Sequence, residues 1–133
     1  MSLVVMDACA MVAFYAADDP RHSQVTARLS AGHALFAPTH FDVEVISAVR
    51  SLARNNPLFS AAVPAALGHL AGFPIRRMPL APLLQRMWQL RENITPYDAA
   101  YLALTEQLGG SLVTCDVKLT QSPGAECDFD IIR

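Results

Sequence analysis

Near its start the chain reads Leu3-Val4-Val5-Met6 and then Asp7. An apolar run this short, closed by a polar residue, predicts a strand that is buried on both faces, as the strands of parallel sheets are. Parallel strands need crossover connections, which are usually helices. The run therefore predicts an α/β fold with Asp7 at the carboxyl end of the first strand, where open α/β sheets bind their ligands.

The rest of the chain continues the alternation of strands and helices. Further strands are predicted over residues 34–37, 74–78, 111–114 and 129–132. Apolar residues at helical spacing predict helices over 8–17, around Val25 and Leu29, from a Thr39 cap to Leu52, over 81–91 and from Thr95 to Leu108. This order predicts a three-layer fold in which a central, mostly parallel sheet of four to five strands is flanked by helices.

Composition narrows the class of protein. The 133 residues fit a single domain over 1–133, and 53% of them are hydrophobic without any run long enough to span a membrane. The opening residues lack the features of a signal peptide, so we expect a cytoplasmic protein. The net charge of −2 is unlike the strongly basic footprint of a non-specific nucleic-acid binder. Three cysteines without Cys-x-x-Cys spacing predict reduced thiols.

Several helices carry predicted apolar faces. The recurrence of Val43, Ile46, Val49 and Leu52 predicts the inward side of one helix, and Leu84, Met87 and Trp88 are predicted to face inward from another. Residues 58–70 are apolar almost all round, and a domain this small cannot enclose such a helix. This segment therefore predicts an interaction surface.

Four acids stand in positions that solvation alone does not explain. Asp7 and Asp116 each follow a predicted strand, whereas Glu44 and Asp98 lie in helices whose neighbouring residues are apolar or small. Carboxylates that are buried close together are costly unless a cation compensates them. A site of oxygen ligands without His or Cys selects Mg²⁺ or Mn²⁺ over zinc. Taken singly, Asp7 could also be a helix cap, Asp98 a first-turn acid and Asp116 a turn residue.

The four acids lie in blocks that occur in order along the chain. The blocks are Val4-Val5-Met6-Asp7-Ala8-Cys9-Ala10, Val43-Glu44-Val45, Thr95-Pro96-Tyr97-Asp98-Ala99-Ala100-Tyr101-Leu102-Ala103-Leu104 and Leu112-Val113-Thr114-Cys115-Asp116-Val117-Lys118-Leu119. Together they resemble the four acidic blocks of PIN-domain ribonucleases, and among these the VapC-like toxins of bacterial toxin–antitoxin pairs. The resemblance covers essentially the whole chain. One departure is Cys9, which stands where the family commonly has Ser or Thr.

The resemblance implies a specific activity and site. It implies a PIN-like fold and a Mg²⁺- or Mn²⁺-dependent endoribonuclease that hydrolyses RNA phosphodiester bonds and acts as the toxin of a toxin–antitoxin pair. The residues implied to hold the metal and carry catalysis are Asp7, Glu44, Asp98 and Asp116, with Thr114 as a supporting polar contact. Cys9 and Cys115 flank two of these acids, where burial beside carboxylates is expected to raise a thiol pKa.

The sequence also suggests RNA-contacting residues, binding partners and two alternative functions. Candidate RNA contacts are Arg50, Arg54 and Lys118. The partners implied are a cognate antitoxin, an RNA substrate and a second copy of the chain, with no membrane. The antitoxin and the second copy are expected on an apolar groove made by the helices around Met11, Phe14 and Tyr15 and by residues 58–70. Two alternatives stay open: a PIN-domain RNA-processing nuclease without an antitoxin, and a non-enzymatic acidic phosphoacceptor similar to a response regulator.

Overall fold

Five short strands form one sheet in the computed structural model, which describes residues 2–133. The strands are β1 (Leu3–Met6), β2 (Ala34–Pro38), β3 (Ile75–Met78), β4 (Ser111–Thr114) and β5 (Asp128–Ile131). Their order in the sheet is β3-β2-β1-β4-β5, and every neighbouring pair is parallel. The predicted α/β sheet is confirmed, with β1 at its centre.

Within residues 2–133, six α-helices flank the sheet. They are α1 (Ala8–Tyr15), α2 (His22–Leu29), α3 (Phe41–Ala53), α4 (Pro57–Gly72), α5 (Leu84–Gln89) and α6 (Pro96–Leu108). The α3–α4 break falls at Asn56 and Pro57, where the Asn56 side chain accepts a hydrogen bond from the Phe59 amide and Pro57 begins the new helix. No helix within residues 2–133 combines the length and apolar character needed to cross a membrane.

The close approach of β4 to β1 depends on the glycine pair after α6. Gly109 ends the helix with a φ of +67°, a left-handed conformation that glycine adopts without strain. At Gly110 any Cβ would collide with the backbone carbonyl of Leu3. Beyond this point the Asp7 amide donates to the Val113 carbonyl at 2.9 Å, so the carboxyl ends of β1 and β4 lie side by side.

Predictions of the inward faces are partly wrong. On α3 the buried residues are Phe41, Val45 and Val49, whereas Val43 is 68% exposed and Ile46 is 49% exposed. The predicted set recurs every three residues and the buried set every four, and the two share Val49, so periodicity alone does not separate them. Packing against α1 and α4 selects the set that includes the Phe41 ring. Leu52 is also exposed, at 47%.

The short helix α5 and the start of α3 also differ from expectation. Leu84 and Trp88 are 55% and 64% exposed, and the Arg91 guanidinium lies 4.2 Å from the centre of the Trp88 ring. Thr39 does not cap α3, because the helix begins after His40 without a side-chain cap. The Thr39 amide instead donates to the carbonyl of Met78 at the end of β3.

Asp42 is accounted for by an ion pair. Its carboxylate receives two hydrogen bonds from the Arg77 guanidinium, at 3.0 and 3.1 Å. Arg77 also donates to the carbonyls of Leu70, Phe73 and Ile75, and so joins α3 to the segment between α4 and β3. Asp42 therefore has a structural partner and is separate from the four acids singled out by the sequence.

Candidate metal centre

Asp7 is a nearly buried carboxylate at the end of β1. It occupies the N-cap position of α1, but its side chain makes no capping hydrogen bond, and the residue is 9% exposed. The Thr114 hydroxyl donates to Asp7 Oδ2 at 2.7 Å. Burial raises the pKa of Asp7, the hydrogen bonds of Thr114 and Cys9 oppose that shift, and the charge of Glu44 adds to it. Capping therefore does not explain this acid.

Asp116 is held in the turn that follows β4. Its amide donates to the Thr114 hydroxyl at 3.1 Å, and its carboxylate accepts from the Lys118 amide at 3.0 Å. The second contact is the local side-chain-to-backbone bond typical of aspartate in turns. Thr114 is fully buried, so one fixed hydroxyl positions both Asp7 and Asp116.

Glu44 and Asp98 reach the same end of the sheet from two helices. The Tyr101 hydroxyl donates to Glu44 Oε1 at 2.7 Å, and His40 Nε2 lies 3.4 Å from the same oxygen. Thr95 caps α6 by accepting a hydrogen bond from the Asp98 amide at 3.2 Å. The pKa of Asp98 is raised by burial and by the charges of Asp7 and Asp116, while a hydrogen bond from Thr95 opposes the shift.

The four carboxylates thus repel one another in pairs. In addition to burial, the charge of Glu44 raises the pKa of Asp7, and the charges of Asp7 and Asp116 raise the pKa of Asp98. Within residues 2–133, however, no three His, Cys, Asp or Glu side chains close around one point as in a formed metal site. The donor set still fits Mg²⁺, which prefers oxygen ligands, keeps several waters and often binds through only one or two carboxylates.

An open cleft of about 720 Å³ adjoins this end of the sheet. Asp98, Asp116 and Lys118 line it, together with Arg91 and Gln121. The predicted RNA contact Lys118 thus lies beside two of the acids, in a space large enough for part of a nucleic-acid strand.

The other two predicted RNA contacts are placed differently. Arg50 lines a groove between α3 and α4, and Arg54 is exposed just beyond the end of α3. The structure therefore brings Lys118, but neither of these arginines, to the walls of the acidic cleft.

Sequence reasoning missed two partners of Glu44. His40 lies four residues before Glu44, and Tyr101 lies three residues after Asp98. Both spacings put the two side chains on one face of a helix, so the sequence indicated that His40 lies near Glu44 and that Tyr101 lies near Asp98. It did not indicate that Tyr101 and Glu44, 57 residues apart, would be in contact.

The thiol expectation is correct for one cysteine and wrong for the other. The pKa of Cys9 is raised by its hydrogen bond with Cys115, by burial and by the charge of Asp7. The pKa of Cys115 is lowered, chiefly by the hydrogen bond with Cys9 and also by the charge of Arg21, against the effect of burial.

Removal of the Thr114 hydroxyl is a direct test of its positioning role. With Asp7 and Asp116 as the metal ligands of a ribonuclease, as the family resemblance implies, we expect Thr114→Val to lower RNA cleavage by about 10- to 100-fold, the usual cost of losing a group that orients a metal ligand. Thr114→Ser keeps the hydroxyl and should recover most of the rate. Initial rates on a labelled RNA compare the variants, and equal rates for the Val and Ser proteins would contradict the role.

Comparison with known proteins identifies the family of this chain. The family model described as PIN domain matches residues 4–123. The chain therefore belongs to the PIN-domain family.

Full-length relatives narrow the family further. The chain is 38% identical over 130 residues to Ribonuclease VapC12 of Mycobacterium tuberculosis, covering 98% of this chain and 99% of the relative. It is 42% identical over 119 residues to Ribonuclease VapC3 of the same organism, covering 90% and 86%. Within the PIN-domain family the chain is a VapC ribonuclease, the toxin of a toxin–antitoxin pair. This membership decides against the response-regulator alternative.

Solved structures share the fold. The structure of VapBC2 from Rickettsia felis, bound to a promoter DNA fragment, matches with a TM-score of 0.70 at 12% identity, covering 98% of this chain and 99% of that one. VapC20 of Mycobacterium tuberculosis, described as a sarcin-ricin loop cleaving toxin, matches with a TM-score of 0.67 at 19% identity, covering 90% and 95%. At these identities the likeness establishes the fold alone.

Proposed function

We propose that this VapC ribonuclease is a Mg²⁺- or Mn²⁺-dependent endoribonuclease formed by a single PIN domain over residues 1–133. In this proposal Asp7, Glu44, Asp98 and Asp116 hold the cation. The observation that carries it is the gathering of these carboxylates at the carboxyl end of the sheet, where burial, and then the charges of the neighbouring acids, raise the pKa of Asp7 and Asp98. Four acids are kept together there at a cost in stability, and a divalent cation offsets that cost.

The side chains around the acids have separable roles. Thr114 orients Asp7 and the Asp116 turn, and Tyr101 holds Glu44 through its hydroxyl. Lys118 stands at the wall of the cleft, where its ammonium can contact an RNA phosphate. When bound, a divalent cation supplies activation of water for attack on phosphorus and neutralises charge on the phosphate oxygens.

Metal dependence is the test of this proposal. The purified protein should cleave RNA in Mg²⁺ or Mn²⁺, lose that activity in excess EDTA, and regain it when either cation is restored. Gel analysis of a defined RNA measures the cleavage, and dialysis without EDTA controls for loss of protein. Undiminished cleavage in excess EDTA would overturn the metal-dependent mechanism.

We further propose that an antitoxin helix binds the exposed apolar surface of α3 and α4. Two adjoining hollows lie between these helices, and Ile46 and Leu67 line both of them. Only Leu70 of α4 is fully buried, and Leu58 is 87% exposed. An amphipathic helix fits such a groove, and the VapBC2 match shows the same fold in a toxin–antitoxin complex.

The groove expected from the sequence, around Met11, Phe14 and Tyr15 and residues 58–70, is partly wrong. Met11 is completely buried in the core and cannot contact a partner. Phe14 and Tyr15 are half-buried, and the Tyr15 hydroxyl hydrogen-bonds to His69 of α4 at 2.8 Å. The apolar residues that line the two hollows come from α3 and α4, and α1 does not line them.

Charging the groove should weaken capture of the antitoxin. We expect Ile46→Glu with Leu67→Glu to reduce affinity for the co-expressed antitoxin at least about 10-fold, because two apolar anchors are lost. Leu84→Glu, a change at an exposed leucine on α5, is the matched control. Calorimetry measures the affinity. Gel filtration of the toxin alone tests the homodimer that the family resemblance implies. Wild-type affinity in the double variant would place the antitoxin elsewhere.

A further inference from the structure

Two cysteines from distant parts of the chain meet beside the acids. Cys9 lies in the first turn of α1, and Cys115 directly follows β4. The Cys115 amide donates to Cys9 Sγ at 3.1 Å, so the Cys9 sulfur lies against the backbone of Cys115. The third cysteine, Cys127, precedes β5, where Glu106 and Asp128 are the charged groups beside it.

We propose that Cys9 and Cys115 are a modification site at which peroxide forms a reversible disulfide. A disulfide requires Cβ atoms about 3.5–4.5 Å apart. Cys9 Sγ already touches the backbone nitrogen of Cys115, so its sulfur starts beside the Cys115 side chain. We expect side-chain rotation to complete the approach of the two sulfurs. Both residues are partly exposed, which gives a small oxidant access to the pair.

The oxidation is balanced with hydrogen peroxide as the oxidant. One thiol attacks a peroxide oxygen, the O–O bond breaks, and a sulfenic acid and one water form. The second thiol attacks the sulfenic sulfur, the S–S bond forms, and the oxygen leaves as a second water. The peroxide gains two electrons, each sulfur loses one, and both thiol protons end in water. Either cysteine can react first, because the product is the same.

The bridge acts on the metal centre through Thr114. Cys9 Sγ lies 3.8 Å from Thr114 Oγ1, and that hydroxyl holds both Asp7 and the amide of Asp116. Rotation of the Cys9 sulfur into a disulfide removes or alters this contact, and the new bond pulls on Cys115, the residue between Thr114 and Asp116. This consequence rests on the proposed function: we expect oxidation to weaken Mn²⁺ binding at least about 10-fold, as loss of a positioning contact does.

Mass spectrometry tests the bond independently of activity. The full-length protein is treated with one equivalent of hydrogen peroxide, alkylated and digested without reduction. We expect the mass of the intact protein to fall by two hydrogens. The digest should contain a pair of peptides joined through Cys9 and Cys115, and dithiothreitol should reverse both changes completely. Cys127→Ser should behave like wild type. Cys9→Ser and Cys115→Ser should each lack the linked peptides, which gives two independent variants if one folds poorly.

The outcomes separate this proposal from the metal mechanism. Free alkylated Cys9 and Cys115 after peroxide would overturn the disulfide. Oxidation of either thiol to sulfinic acid, or a bridge through Cys127, would overturn it as well. If the bridge forms, the rise in melting temperature caused by Mn²⁺ is compared between oxidised and reduced protein, and equal rises would overturn the effect on the metal centre. A reduced protein without any Mn²⁺-induced rise would count against the proposed function, while the mass result would stand.

Discussion

Asp7→Asn and Asp98→Asn should each lower RNA cleavage by at least about 100-fold. Removal of a group that merely orients a metal ligand already costs about 10- to 100-fold, and these changes remove the charge of a proposed ligand itself. The amide has the size of the carboxylate, and at position 7 its oxygen can still accept from Thr114. The fold should therefore persist, which far-ultraviolet circular dichroism checks while initial rates of cleavage measure the loss.

Asp42→Asn is the matched control for these changes. Asp42 is on the same helix as Glu44, but its carboxylate pairs with Arg77 outside the acidic cleft. An ion pair this exposed is worth about 1 kcal/mol or less, so cleavage should stay within about twofold of wild type. Full activity in Asp7→Asn or Asp98→Asn, or an equal loss in Asp42→Asn, would contradict the assignment of the site.

The second large effect expected is on stability. A cation that binds only the folded protein at 100 times its dissociation constant adds about 2.7 kcal/mol, which corresponds to a rise of roughly 10 °C in a domain of this size. Wild-type protein should show such a rise in saturating Mn²⁺. Asp7→Asn should melt no lower than wild type in EDTA and should show a much smaller rise. Differential scanning calorimetry measures both, and equal rises would place the cation elsewhere.

The same variant gives a pH dependence with a defined sign. Because the pKa of Asp7 is raised in the fold, the folded protein holds this proton more tightly than the unfolded chain does. The stabilisation is complete below the unfolded pKa of about 3.9 and is lost as pH rises through the folded pKa. Asparagine does not titrate there. In EDTA the melting temperature of Asp7→Asn minus that of wild type should therefore increase from pH 4 towards pH 7, and a constant difference would contradict the shift.

Much of this molecule follows from local sequence. Four apolar residues before Asp7 specify β1, the Thr95-Pro96 pair starts α6, and Gly109 ends it. The chemical nature of the candidate site also follows, because four carboxylates fall at strand ends or in apolar helices, in blocks that occur in a recognisable order. These features depend on residues a few positions apart, so they can be read along the chain.

Contacts between distant segments depend on the packed sheet. Periodicity offered two faces for α3, and packing buried Val45 rather than Val43. The Tyr101 contact with Glu44 joins residues 57 apart, and that of Cys9 with Cys115 joins residues 106 apart. No local structural propensity encodes these long-range contacts. They arise because parallel pairing of β1 with β4 sets two strand ends side by side, and burial of α6 then fixes which of its side chains reach them.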